Sequence, residues 1–115
     1  MDNIIADKSF HFAIRIVNLY KHLRLEKKEY VMSKQMMRSG TSIGTNVAEA
    51  QQAQSHSDFI AKRSISLKET SETKYWLCLL NATDYLSERL FQSFYADAVE
   101  IEKLLVAILK TARKT

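Results

Sequence analysis

The 115-residue chain contains no proline and only two glycines, both within the same ten residues. Sandwiches and barrels need a turn every eight to twelve residues, and Gly and Pro supply most of them. A chain with so few breakers is suited to long helices, where proline costs about 3 kcal/mol and glycine about 1 kcal/mol. Apolar residues make up 46% and charged residues 26%, close to an ordinary folded domain and unlike a disordered or fibrous chain. The length suits one domain over residues 1–115.

Several function classes are excluded at this level. The longest apolar runs, residues 75–80 and 104–109, fall far short of the roughly 20 residues that cross a bilayer, so no membrane partner is expected. Asp2, Asp7 and Arg15 interrupt any signal-peptide core, and a cytoplasmic location is the expectation. Cys78 is the only cysteine; it can form no internal disulfide, and its neighbours in Tyr75-Trp76-Leu77-Cys78-Leu79-Leu80 read as a buried run. Tyr75 and Trp76 read likewise as core or interface rather than as base-stacking platforms.

Four amphipathic stretches follow. In the first, Phe10, Ala13, Val17 and Tyr20 recur at spacings of three and four, with Phe12, Ile16, Leu19 and Leu23 widening the stripe. Asp2 or Asn3 is a good N-cap, and the pattern lapses into a charged turn at residues 25–28. In residues 29–53, Arg38-Ser-Gly-Thr-Ser-Ile-Gly-Thr-Asn46 reads locally as a loop. Met32, Met36, Gly40, Ile43, Val47 and Ala50 nevertheless hold a helical stripe straight through it. Periodicity wins, and the glycines, four apart, predict a close helix contact. Ser55-His-Ser-Asp58 forms a capping box for a third helix that runs to about Ala82. Ser87 starts a fourth, marked by Phe91, Phe94, Ala98, Ile101, Leu105, Ile108 and Ala112. Short connections make an all-α, antiparallel up-down-up-down four-helix bundle the expected architecture.

Polar residues also fall into stripes. Arg38, Ser42, Asn46 and Glu49 lie within roughly 80° of arc, and Lys62, Ser66, Glu69 and Thr73 within roughly 60°, at 100° per residue. A hairpin about Gln54 and Ser55 sets Glu49 near Lys62, Asn46 near Ser66, and Arg38 near Glu69, Glu72 or Thr73. This is a charge-paired seam that fixes register or a subunit contact, or else a ligand groove.

Catalytic patterns are missing. A di-iron bundle needs Glu-x-x-His, and His11, His22 and His56 each lack the glutamate, so no metal or other cofactor is expected. Gly40 and Gly44 lack the Lys-Ser/Thr of a phosphate loop. No nucleophile sits in a recognisable motif, and only Glu49 and Glu69 remain for an enzymatic reading. Basic residues do cluster. Lys21, Arg24, Lys27 and Lys28 surround the first turn and read as a solvated helix end, while Arg38, Lys62, Arg63 and Lys68 have the better claim on phosphates. The net charge of +4 is compatible with nucleic acid without requiring it.

Three segments together carry a resemblance. Residues 38–50, then Ser55-x-x-Asp58-Phe59-Ile60, then Leu67-Lys68-Glu69-x-x-Glu72-Thr73-Lys74-Tyr75-Trp76, resemble the bacterial four-helix bundle proteins encoded in intervening sequences of large-subunit ribosomal RNA genes. The departures are Ala50, where glycine is common, and Ser64 and Ser66, where apolar or small residues are frequent. The resemblance implies helix at Gly40 and Gly44 and a ring-like homopentamer. It further implies kinship with accessory subunits of diversity-generating retroelement reverse transcriptases, which bind nucleic acid through a basic surface. Two classes follow as expectations: a non-enzymatic, oligomeric RNA-binding bundle, or a scaffold that recruits a protein such as a polymerase.

Overall fold

Four helices make up almost all of the chain in a computed structural model that describes residues 2–114: α1 (Asp2–Leu25), α2 (Met32–Gln51), α3 (His56–Ala82) and α4 (Glu88–Ala112). Side-chain contacts fix their directions. Rising numbers on one helix meet falling numbers on the next: Ser9 and Ile16 against Gly44 and Gly40, Lys62 and Thr73 against Glu49 and Ser39, Ser64 and Lys74 against Arg113 and Glu102. The fourth side closes in the same sense, with Lys8 on Glu100 and Arg15 on Asp97 and Ser93. The result is the expected up-down-up-down bundle, 47 Å long and about 20 Å across. Contact between α1 and α4 is the sparsest of the four.

The glycine segment is continuous helix, as its periodicity predicts. Met36, Gly40, Ile43, Val47 and Ala50 are buried. A Cβ on Gly40 would lie 2.9 Å from Cγ1 and Cγ2 of Ile16, so the close approach falls against α1. In α1 itself the expected phase is displaced. Ile5, Ser9, Phe12, Ile16, Leu19 and Leu23 form the buried seam, whereas Phe10 is 65% exposed and Ile14 45%. Apolar residues nearly encircle the middle of this helix, so spacing alone admits two overlapping stripes.

The capping box is present with a variation. Ser55 accepts the Asp58 amide at 3.1 Å, but the Asp58 carboxylate reaches back to the amide of Gln54 rather than Ser55. Ser87 accepts the Leu90 amide and caps α4. Asp2 and Asn3 already lie within α1, so the cap of that helix falls outside the described residues. Helix α2 begins at Met32, three residues later than the segment 29–53 suggests, because Glu29 serves as a cap. Its carboxylate accepts the amides of Val31, Met32 and Ser33 at 3.1, 3.1 and 2.7 Å. Cys78 is exposed, not buried: α3 turns Leu77 and Leu80 inward and leaves Cys78 outside. Tyr75 is likewise 59% exposed, while Trp76 is half-buried against the core and donates its indole N–H to Glu72.

Candidate functional site

The α2–α3 seam is built in two layers. Inside, Ser39, Ser66, Thr70 and Thr73 are buried. The Ser66 hydroxyl donates to the Ile43 carbonyl at 3.0 Å, the Thr70 hydroxyl donates to the Ser66 carbonyl, and the Thr73 and Ser39 hydroxyls lie 2.9 Å apart. Small side chains allow the two backbones to approach, and their hydroxyls are satisfied by carbonyls or by each other, which removes the penalty of burying them. Ser66 thus occupies a small-residue position without leaving a polar orphan.

Outside this layer lie the ion pairs. Lys62 meets Glu49 at 3.0 Å, and Arg38 spans Glu69, at 3.1 Å, and Glu72. The hydrogen bond that Arg38 donates to Glu72 and the charge of Glu69 raise the Arg38 pKa above its ordinary value; the hydrogen bond that Lys62 donates to Glu49 does the same for Lys62. Both expected pairings therefore form. No hydrogen bond joins Asn46 to Ser66 among the described residues: Asn46 donates to the Ser42 carbonyl on its own helix, and Ser42 donates to that of Arg38. Glu49 and Glu69, the carboxylates an enzyme would use, are each engaged by a different cation. Among the described residues no cluster of His, Cys, Asp and Glu is arranged to hold a metal ion.

Arg38 is half-exposed, so its pairs are screened and its truncation has a small expected effect. Arg38→Ala should lower stability by no more than about 1 kcal/mol, read by urea unfolding. A loss several times larger would make the seam a determinant of the fold.

The four basic residues expected at phosphates separate. Arg63 is fully buried, with its guanidinium 5.0 Å from the ring of Phe59, one turn earlier. That position removes it from any surface a polyanion can reach, which corrects the sequence reading. Phe59 at i−4 was the available signal, because Arg stacks on aromatic faces. Arg38 and Lys62 are held by carboxylates, and Lys68 is exposed with no ion pair among the described residues.

Two further surfaces stand apart from the seam, the first not evident in the sequence and the second built on the basic cluster that the sequence places at the first turn. One is a groove of about 390 Å³ between α1 and α2, walled by Ala6, Phe10 and Ala13 on one side and Thr41, Gly44 and Ala48 on the other. It holds no charged residue, since α2 carries none from Ser39 to Ala48. The other is the corner joining α1 to α2, where Lys21, Lys27, Lys28 and Lys34 are exposed and Arg24 lies over Tyr20 and Tyr30. No helix among the described residues is long and apolar enough to cross a membrane.

The family described as 23S rRNA-intervening sequence protein matches residues 1–107, nearly the whole bundle. The chain belongs to that family. The bundle is shared with a solved structure: the crystal structure of a protein of unknown function from the S23 ribosomal protein family of Bacteroides thetaiotaomicron superposes with a TM-score of 0.94. The two sequences are 58% identical over 95% of this chain and 97% of the other. No curated protein matches the chain. Membership of the 23S rRNA-intervening sequence family thus fixes the architecture and leaves the activity to be argued from the surface.

Proposed function

We propose that this family member is a non-enzymatic RNA-binding subunit that works as a homo-oligomer. The observation that supports this most is where the negative charge is spent. Glu49, Glu69, Glu72, Asp97, Glu100 and Glu102 are all drawn into interhelical pairs with cations, and Glu29 is tied up by backbone amides. The same pairs hold five cations, and the side chains outside them keep the chain's net excess of positive charge, as backbone recognition of a polyanion requires. The family description, with its reference to an intervening sequence of 23S rRNA, points to RNA as the polyanion.

Support for self-association comes from the α1–α2 groove, where largely exposed Phe10 stands among small uncharged residues. Five copies, the number the resemblance implies, would carry about +20 and multiply weak phosphate contacts by avidity. The same face favours the second reading, a scaffold that recruits a different protein.

The test is fluorescence anisotropy with a structured 23S rRNA fragment titrated over salt, with a matched DNA duplex beside it. Log affinity should fall linearly with log salt, and RNA should bind more tightly than DNA. Absence of binding at low salt would overturn the RNA reading in favour of the scaffold.

A further inference from the structure

We infer that the RNA phosphates are contacted at the α1–α2 corner, by Lys21, Arg24, Lys27, Lys28 and Lys34, and not along the α2–α3 seam. This rests on the RNA-binding reading above and assigns it a site. Charge is concentrated there. Residues 21–34 hold five basic and two acidic residues, so this short stretch carries +3 of the +4 on the whole chain. One of the two acids is Glu29, which is 7% exposed and engaged by three amides, so its charge is turned inward. None of the five basic residues forms an ion pair among the described residues, whereas Arg38 and Lys62 would have to break theirs before meeting a phosphate.

The backbone of the turn fixes the positions from which these side chains project. After Leu25 the chain wraps over the end of α1: the amides of Glu26 and Lys27 both donate to the His22 carbonyl, and that of Glu29 donates to the Leu23 carbonyl at 2.9 Å. The wrap requires Lys28 in the left-handed region, at φ 57°, where glycine or asparagine is the usual occupant of a helix end. A lysine stands in that position with its charge exposed. Arg24 is restrained too, its guanidinium 5.5 Å from the Tyr20 ring and 5.2 Å from the Tyr30 ring. Tyr30 is 49% exposed and provides an aromatic edge beside the cations, the combination that captures unpaired bases next to a phosphate backbone.

The experiment compares the wild-type protein with Lys21→Gln/Lys27→Gln/Lys28→Gln and with Arg38→Gln/Lys62→Gln, using the rRNA fragment over a salt series. All three lysines are solvent-facing, and a thermal melt should show the triple variant folded; the single Lys27→Glu variant gives an independent check. Loss of about tenfold to a hundredfold in affinity at low salt, with the slope of log affinity against log salt reduced by roughly 2–3, is the expected result for the corner variant. The seam variant should stay within about twofold of wild type, and Tyr30→Leu should weaken RNA without changing the salt slope. Wild-type affinity in the corner variants, or an equal loss in the seam variant, would overturn the assignment while leaving RNA binding intact. Failure of the wild-type protein itself to bind RNA would remove both.

Discussion

Gly40→Ala is expected to lower stability by about 1–3 kcal/mol, while Gly44→Ala leaves it unchanged or raises it. Alanine is worth about 1 kcal/mol over glycine in a helix interior, so an exposed substitution of this kind stabilises. At Gly40 that gain is outweighed. The new methyl would sit 2.9 Å from two branch carbons of Ile16, a fully buried β-branched side chain with little rotamer freedom in its helix. Relief requires α1 and α2 to move apart along a core that runs the length of the bundle. At Gly44 the nearest atom is the Ser9 carbonyl oxygen at 3.4 Å, an ordinary contact, so helix propensity decides the sign. Urea midpoints of the two variants, measured side by side, separate close packing from propensity. Stabilisation by both changes would mean the helices are not in tight contact at Gly40.

Glu29→Gln should cost roughly 1–3 kcal/mol at neutral pH, because one carboxylate satisfies three of the amides that begin α2. Burial pushes the Glu29 carboxyl up. The amides of Ser33, Met32 and Val31, with the Ser33 hydroxyl, outweigh that and hold its pKa below the ordinary glutamate range. A group with a depressed folded-state pKa binds its proton less readily when folded than when unfolded. Its stabilisation is therefore complete above the unfolded value, near 4.3, and is lost as pH falls from there through the folded value. The gap between wild type and Glu29→Gln in chemical unfolding should be widest near pH 7 and close progressively below about pH 4. A gap that does not change with pH would show that the carboxylate charge has no part in the cap.

The limits of the sequence reading have physical causes that differ by element. Helix α2 could be read through two glycines because Met36, Ile43, Val47 and Ala50 kept their phase on both sides of them. The phase of α1 could not be read, since Phe10, Phe12, Ile14 and Ile16 place apolar groups on several sides and only a packed neighbour selects among them. The ion pairs of the seam were legible from hairpin counting, as complementary charges on two antiparallel stripes must meet. Its inner layer was not: Ser39 and Thr70 look like surface residues until the approach permitted by small side chains is known. Glu29 was hidden for a related reason. A carboxylate in a charged turn reads as solvated, and its role as a cap depends on how the chain wraps over Leu23. Arg63 shows the opposite error, a basic residue in a charged row that stacks on Phe59 inside the bundle.

The corner and the groove divide the proposed work between two faces, one charged and one apolar, on the same pair of helices. A bundle assembled through the groove would repeat the corner around its symmetry axis and present several sets of unpaired lysines to one RNA. Size-exclusion chromatography with light scattering, run on the protein alone and with the rRNA fragment at rising salt, tests this most directly. The predicted result is a protein particle whose mass is a multiple of 13.3 kDa and which co-elutes with RNA at low salt and separates from it as salt rises. A 13.3 kDa monomer that elutes apart from the RNA at low salt would contradict it.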